Sequence, residues 1–162
     1  MLEWGFDRNL ENSLQDFLTT EVVNDSVTDI NGVNVPIRIG RKNEDDWSLP
    51  CISVYVDSET APRLEIGSNV RNDKQTMIID IFATNEGERL DIARWVTNVI
   101  NDGFRYYAFT PNASDPTSPT KIAGRLVQID FLTNNRVSLG QTISEIDNHR
   151  HTIVINVYTT GA

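Results

Sequence analysis

The sequence holds few of the residues on which disulfide and cofactor chemistry depends. Its 162 residues include one cysteine and two histidines. An intramolecular disulfide is therefore impossible, and we interpret Cys51, inside the apolar run at residues 49–56, as a small buried hydrophobic residue. A catalytic thiolate needs a nearby base, and the histidines lie about a hundred residues further along the chain.

Long hydrophobic runs are also missing. No apolar segment approaches the roughly 20 residues that a helix needs to cross a bilayer. Residues 1–4 lack the basic start and apolar core of a signal peptide. We therefore expect a protein that is made and folded in a cytoplasm and has no membrane partner.

Positive charge is scarce. Fourteen Lys and Arg residues stand against 23 Asp and Glu residues, which gives a formal net charge of -9. Because such a chain repels phosphate backbones, its composition argues against a protein that grips DNA or RNA. The acidic composition is compatible with a surface along which nucleic acid passes without binding. The length predicts a single domain over residues 1–162, large enough for its own hydrophobic core.

A strand–helix–strand unit in the middle of the chain is the clearest pattern present. Residues 77–83 are typical of a buried strand, and residues 104–109 are typical of the strand that follows the helix. Asn85 with Glu88 has the spacing of a capping box, and Gly103 suits the left-handed end of the helix between them. One face of this helix carries the apolar residues Ile92, Ala93, Val96, Val99 and Ile100. We expect the outward-facing residues to be Arg89, Asp91, Arg94 and Asn98.

A second amphipathic helix is predicted near the start of the chain, from a cap at Asp7 to about Val23. Its apolar stripe comprises Leu10, Leu14, Phe17, Leu18 and Val22. The opposite, polar face comprises Glu11, Asn12, Gln15, Asp16 and Thr19. The pair Asn31-Gly32 then predicts a tight hairpin turn.

The remaining periodicity is that of strands, at residues 35–40, 49–57, 122–132 and 149–160. Pro36 cannot donate a ladder hydrogen bond, which places the first of them at a sheet edge or a strand start. Two helices and five to seven strands predict an α+β fold in which a mostly antiparallel, curved sheet is packed by two amphipathic helices.

Two connections are long enough to suggest a role. Residues 58–75 fit either an arm that extends the flanking strands or a mobile loop, and the alternation at residues 63–67 favours the arm. Residues 110–121, with three prolines, predict a flexible loop. We expect subunit contacts from the arm and from the exposed side of the central helix, through Arg63, Glu65, Arg71, Asp73 and Trp95.

Two pairs of side chains could bind a metal ion. Asp80 and Asp130 lie in apolar strands and could bind a divalent metal for hydrolysis, but a third acidic group or a lysine at a fixed offset is not visible. We interpret both as facing solvent or an interface. His149 and His151 fall on one side of a strand, without a cysteine or a clear carboxylate partner close in sequence, so we interpret them as paired or surface residues. We predict no catalytic, cofactor-binding or metal-binding residue.

The order of elements resembles the tail terminator (tail completion) proteins of tailed bacteriophages and the related neck proteins. The segments most similar to that family are residues 10–18 (Leu-Glu-Asn-Ser-Leu-Gln-Asp-Phe-Leu), 52–55 (Ile-Ser-Val-Tyr) and 77–81 (Met-Ile-Ile-Asp-Ile). The similarity spans residues 10–158 and lies in element order, size and charge.

The resemblance implies a virion protein without a cofactor, assembled in the host cytoplasm. Copies of such a protein form a ring, usually a hexamer, at the head-proximal end of the tail tube, where they end tube growth. Its partners would be itself, the tail tube protein and a head–tail connector or stopper protein, with DNA only as passing cargo. Two alternatives stay open: a metal-dependent hydrolase using Asp80 and Asp130, or another tail or baseplate accessory module.

Overall fold

A computed structural model describes residues 5–40, 47–57, 72–115, 117–136 and 149–160. The fold of this part is α+β, as predicted. Most of the predicted arm, residues 58–71, lies outside the described residues, and β3 begins inside the predicted arm. The elements are α1 (Phe6–Asn24), β1 (Ile37–Ile39), β2 (Cys51–Val56), β3 (Asn72–Phe82), α2 (Glu86–Ile100), β4 (Phe104–Thr110), β5 (Thr120–Arg136) and β6 (Arg150–Thr160).

The six described strands form one sheet in the order β1-β2-β3-β6-β5-β4. β1 pairs with β2 in parallel, and the other neighbouring pairs among the described strands are antiparallel. The pairing of β5 with β6 shifts register between Phe131 and Thr133, and the pairing of β4 with β5 shifts register between Arg105 and Tyr107. Such irregularities bend strands and increase their twist, and the sheet curls into a half-barrel. The predicted mostly antiparallel, curved sheet is confirmed.

Both helices pack against the same side of the sheet, called here the helix-facing side. Cross-strand rows such as Val54–Ile79–Ile153 lie on it, fully buried. They belong to one hydrophobic cluster with Leu14 of α1 and Val96 of α2. The periodicity of both helices therefore predicted their buried stripes correctly, apart from the polar residues described below.

Polar side chains of α1 cover the free edge of β4. The backbone N–H of Phe109 donates to Asn9 Oδ1 at 3.1 Å, and the N–H of Tyr107 donates to Ser13 Oγ at 2.9 Å. Asn9 and Ser13 are both buried. An uncovered edge strand presents unpaired N–H groups to any other chain, and here the helix satisfies two of them.

The other flank of α1 reaches the opposite end of the sheet. Gln15 Nε2 donates to the carbonyl of Ile37 at 2.9 Å, and Glu11 accepts from the N–H of Val56 at 2.9 Å. The prediction that Glu11 and Gln15 belong to an outward polar face was wrong. Burial raises the pKa of Glu11, while its bond to Val56 acts in the opposite direction. Because the sheet curls, one helix contacts both of its ends.

The helix termini follow local chemistry only in part. Asn85 caps α2 as predicted, accepting from the N–H of Glu88 at 2.9 Å. Gly103 has φ +81°, and a Cβ there would overlap the backbone carbonyl of Val127 on β5. For α1 the predicted cap was wrong, since the helix begins at Phe6 behind Gly5. Asp7 lies in the first turn, where its charge favours the helix dipole.

Candidate functional site

Asp80 lies at the centre of a buried polar cluster on the side of the sheet opposite the helices. It pairs with Thr152 across the β3–β6 ladder, between the helix-facing rows. Its carboxylate accepts from Thr152 Oγ1 at 2.6 Å, from the Arg150 guanidinium at 2.8 and 3.3 Å, and from the Tyr55 hydroxyl at 3.2 Å. Asp80 is 3% exposed, so the interpretation that it faces solvent or an interface was wrong.

Asp130 is exposed on β5 and does not meet Asp80. It pairs with Asn156 of β6, four positions away from Thr152, the partner of Asp80. Four strand residues span about 13 Å, and two strand spacings add about 10 Å across the sheet. Metal ions that act as a pair lie only about 4 Å apart. No group of three or more His, Cys, Asp and Glu residues among those described could hold a metal ion.

His151 is held as a neutral imidazole. Its Nδ1 lies 2.8 Å from Arg89 Nη1, and its Nε2 lies 2.5 Å from Asn134 Oδ1. Because a guanidinium can only donate, Nδ1 must accept and the proton lies on Nε2. Burial lowers the pKa of His151, and the charge of Arg89 lowers it further, with Glu86 opposing. Both ring nitrogens are engaged within the protein, so neither is directed at a metal.

A second polar cluster, around His151 on the helix-facing side, corrects the prediction for Arg89, which is buried and does not face outward. Its guanidinium contacts both carboxylate oxygens of Glu86, at 2.5 and 3.2 Å. His149 Nδ1 lies 3.7 Å from the same carboxylate. That distance is too long for a hydrogen bond, and the buried His149 Nδ1 has no hydrogen-bond partner among the described residues. His151 is thus partnered in space by groups distant in sequence. Asn134 continues the network to Thr97 of α2 at 3.0 Å, so the cluster fastens α2 to β5 and β6.

A groove of about 610 Å³ separates α2 from the hairpin at residues 27–34, and we call it the Trp95 groove. Trp95 is half-buried in its wall and donates its indole N–H to Asp25 at 2.8 Å. Ile30, at the hairpin tip, also lines the groove and is 96% exposed. Other residues lining the groove are Val27, Asp29, Asp91 and Ile92.

The hairpin that presents Ile30 is well defined by hydrogen bonds. Asp29 Oδ1 accepts from the N–H groups of Asn31 and Val33 at 2.8 and 2.9 Å. A single antiparallel bridge joins residues 28 and 34, and Gly32 has φ +78°. The turn predicted from Asn31-Gly32 is therefore present. Asp29 fixes the backbone on both sides of an exposed apolar side chain, a property that sequence periodicity alone does not indicate.

The predicted interface residues are only partly visible. Trp95 lies at the groove. Asp73 lies in β3, where its backbone pairs with residue 159, and its side chain is outside the described part of the structure. Arg63, Glu65 and Arg71 also lie outside the described residues. Cys51 is fully buried, as interpreted from its apolar surroundings.

Neither helix of the described chain has the length and apolar character needed to cross a membrane. A scan against protein-family models found no match, and a search of curated proteins found none either.

Proposed function

We propose that this protein is a structural subunit of a phage virion that forms a ring, most simply a hexamer, at the head-proximal end of the tail. The ring would end growth of the tail tube and join the tail to a head–tail connector or stopper protein. The observation that carries the proposal is the order of the described elements: a first helix, three strands, a central helix and three strands on a curled sheet. This is the order expected from the resemblance to tail terminators.

The disposition of the polar residues supports a role based on surfaces. Asp80 is engaged by Arg150, and His151 by Arg89 and Asn134, so these side chains stabilise the fold around them. The Trp95 groove instead leaves an apolar side chain and several carboxylates at the surface. A net charge of -9 would also help DNA to pass through a ring without being retained.

The decisive measurement is the solution mass, determined by light scattering on a sizing column over a range of concentrations. A closed ring gives a fixed multiple of 18.3 kDa, and six copies are expected. Electron microscopy of the same sample with added tail tubes should show rings at one tube end. A monomer at every concentration, with no density on tubes, would contradict the proposal and favour an accessory tail or baseplate module.

The positions of Asp80 and Asp130 do not support the hydrolase alternative, because the two residues lie far apart on the sheet. A melting temperature that rises on adding magnesium, manganese or zinc would support the hydrolase alternative. Under the ring proposal the melting temperature stays unchanged in all three.

A further inference from the structure

Acidic and apolar groups together form the Trp95 groove. The hairpin and its approach, residues 24–34, contain Asp25 and Asp29 and no basic residue. Across the groove, α2 contributes the exposed carboxylate of Asp91. Ile30 and Trp95 supply the apolar surface. An occupant that matches this groove carries aliphatic side chains flanked by positive charge.

A surface of that composition is present on the same chain. β4, together with residues 120–129 of β5, contains three basic residues and no acidic one. One of the three, Lys121, pairs with Asp16 of α1 at 2.9 Å, so the positive charge offered to a partner comes from Arg105 and Arg125. Arg105 pairs with Leu126 across the β4–β5 ladder, so these two lie on one side of it, opposite the buried pair of Phe104 and Val127. Leu126 is 56% exposed, and Arg105 is also exposed. We call this surface the β4–β5 face.

We propose that the Trp95 groove of one subunit receives the β4–β5 face of a second copy of this chain. The proposal rests on the proposed ring and names the contact that builds it. The two surfaces differ in shape and are opposite in charge. A contact between them is therefore head-to-tail, which is the kind that generates closed rings when its rotation closes.

The contact uses the face of the strands and not their edge. The outward N–H groups of Tyr107 and Phe109 already bond to Ser13 and Asn9 of the same chain. Strand addition at that position would first have to displace α1. Burying Leu126 beside Ile30 removes apolar surface from water on both subunits, and this supplies the favourable free energy. The charges align the two subunits as they meet.

Two double variants test the contact, each altering one surface. The groove variant carries Ile30→Ser and Asp91→Arg, and the face variant carries Arg105→Glu and Leu126→Ser. All four side chains are exposed, so both variants should melt close to the wild-type temperature. Matched controls are Val33→Ser on the same hairpin and Leu132→Ser on the same strand, since these side chains are 61% and 53% exposed.

Light scattering gives the readout at a concentration where the wild-type protein is assembled. Each double variant alone should fall to 18.3 kDa, while both controls assemble like the wild type. An equimolar mixture of the two variants should give a complex of twice that mass and nothing larger. The reason is that the mixture retains one working groove and one working face for each pair.

Cross-linking tests the same contact with the charges of Asp91 and Arg105 left in place. Cys51 is the only cysteine in the sequence and is fully buried, so only the introduced thiols react with the cross-linker. A variant with Ile30→Cys and Leu126→Cys should give a ladder of cross-linked oligomers with a short bis-maleimide. A variant with Val33→Cys and Leu132→Cys should give little product.

Three results would overturn the inference. Either double variant could assemble like the wild type, the mixture could lack the dimer, or the Ile30–Leu126 cysteine pair could give no ladder. In those cases a wild-type ring still stands and only the contact is misplaced. A wild-type protein that is monomeric at every concentration overturns the ring and the contact together.

Discussion

Replacing Ser13 by alanine should loosen the attachment of α1 to the edge of β4. The Ser13 side chain is fully buried, and its Oγ accepts from the N–H of Tyr107 at 2.9 Å while donating to the carbonyl of Asn9 at 2.7 Å. Alanine removes the acceptor and leaves a buried N–H group without a partner. Water cannot replace the bond at a position from which solvent is excluded.

The expected loss of stability follows from two opposing effects. An unsatisfied buried N–H group costs about 1–3 kcal/mol. Alanine is a better helix former than serine by about 0.5 kcal/mol, which offsets part of that cost. The free energy of unfolding should therefore fall by about 1.5 kcal/mol, and the melting temperature by about 3–6 °C for a chain of this size.

Thr20→Ala on the same helix is the matched control. Thr20 also donates to the carbonyl four residues earlier, at 2.9 Å, but it is exposed and contacts no strand in that bond. Urea unfolding of both variants at neutral pH gives the comparison, and hydrogen exchange at the Tyr107 amide gives the local effect. If Ser13→Ala is no less stable than Thr20→Ala, or the Tyr107 amide exchanges no faster, the edge-covering role of Ser13 is refuted.

Three further substitutions probe the clusters described above. Burial and then the charge of Arg89 lower the pKa of His151, so below about pH 6.5 the unfolded chain takes up a proton that the folded chain resists. Stability should then decline on acidification by up to about 1.4 kcal/mol per pH unit, and His151→Gln should flatten that decline in urea titrations at pH 5 and 7.5. Arg150→Met leaves the buried Asp80 carboxylate without its cation and should cost about 3 kcal/mol by chemical denaturation, and a loss below 1 kcal/mol would contradict the pairing. Gly103→Ala places a Cβ at positive φ against a carbonyl of β5 and should cost about 2 kcal/mol or more, seen as a lower melting temperature with unchanged circular dichroism.

Local signals in the sequence were sufficient to place most elements. Apolar spacing located α1 and α2, and the strand from residue 150 to residue 160 was predicted to within one residue. Asn85 and Gly103 act where their chemistry suggested, because a cap and a left-handed turn depend on neighbouring backbone alone. These effects are short-range, so one sequence can reveal them.

The polar residues were harder to predict, because their partners come from distant parts of the chain. Asp80 alternates with apolar residues and so suggested an exposed side, yet Arg150 neutralises it and Thr152 donates a hydrogen bond to it from a strand about 70 residues later. Arg89 was assigned to solvent by helical spacing, but it meets His151 across 62 residues. Periodicity indicates which side of an element a residue is on. It does not indicate what the fold brings to that side.

The candidate site shows the same limit. Trp95 was singled out because it lies beside the apolar stripe of its helix, and it does line a groove. The groove itself needs the hairpin at residues 27–34 to lie against α2, about 60 residues away in sequence. No pattern within either segment predicts that encounter, and the exposed Ile30 looked like any apolar residue of a short strand.

The bonds between α1 and β4 also bear on how the chain folds during synthesis. Asn9 and Ser13 leave the ribosome early, while their partners Phe109 and Tyr107 follow 100 and 94 residues later. Contacts so distant in sequence form late, because a long loop must close first. Until these contacts form, α1 has an apolar stripe without a sheet, and β4, once synthesised, has an open edge without a helix. The nascent protein therefore depends on rapid docking of its first helix to avoid strand pairing between neighbouring chains.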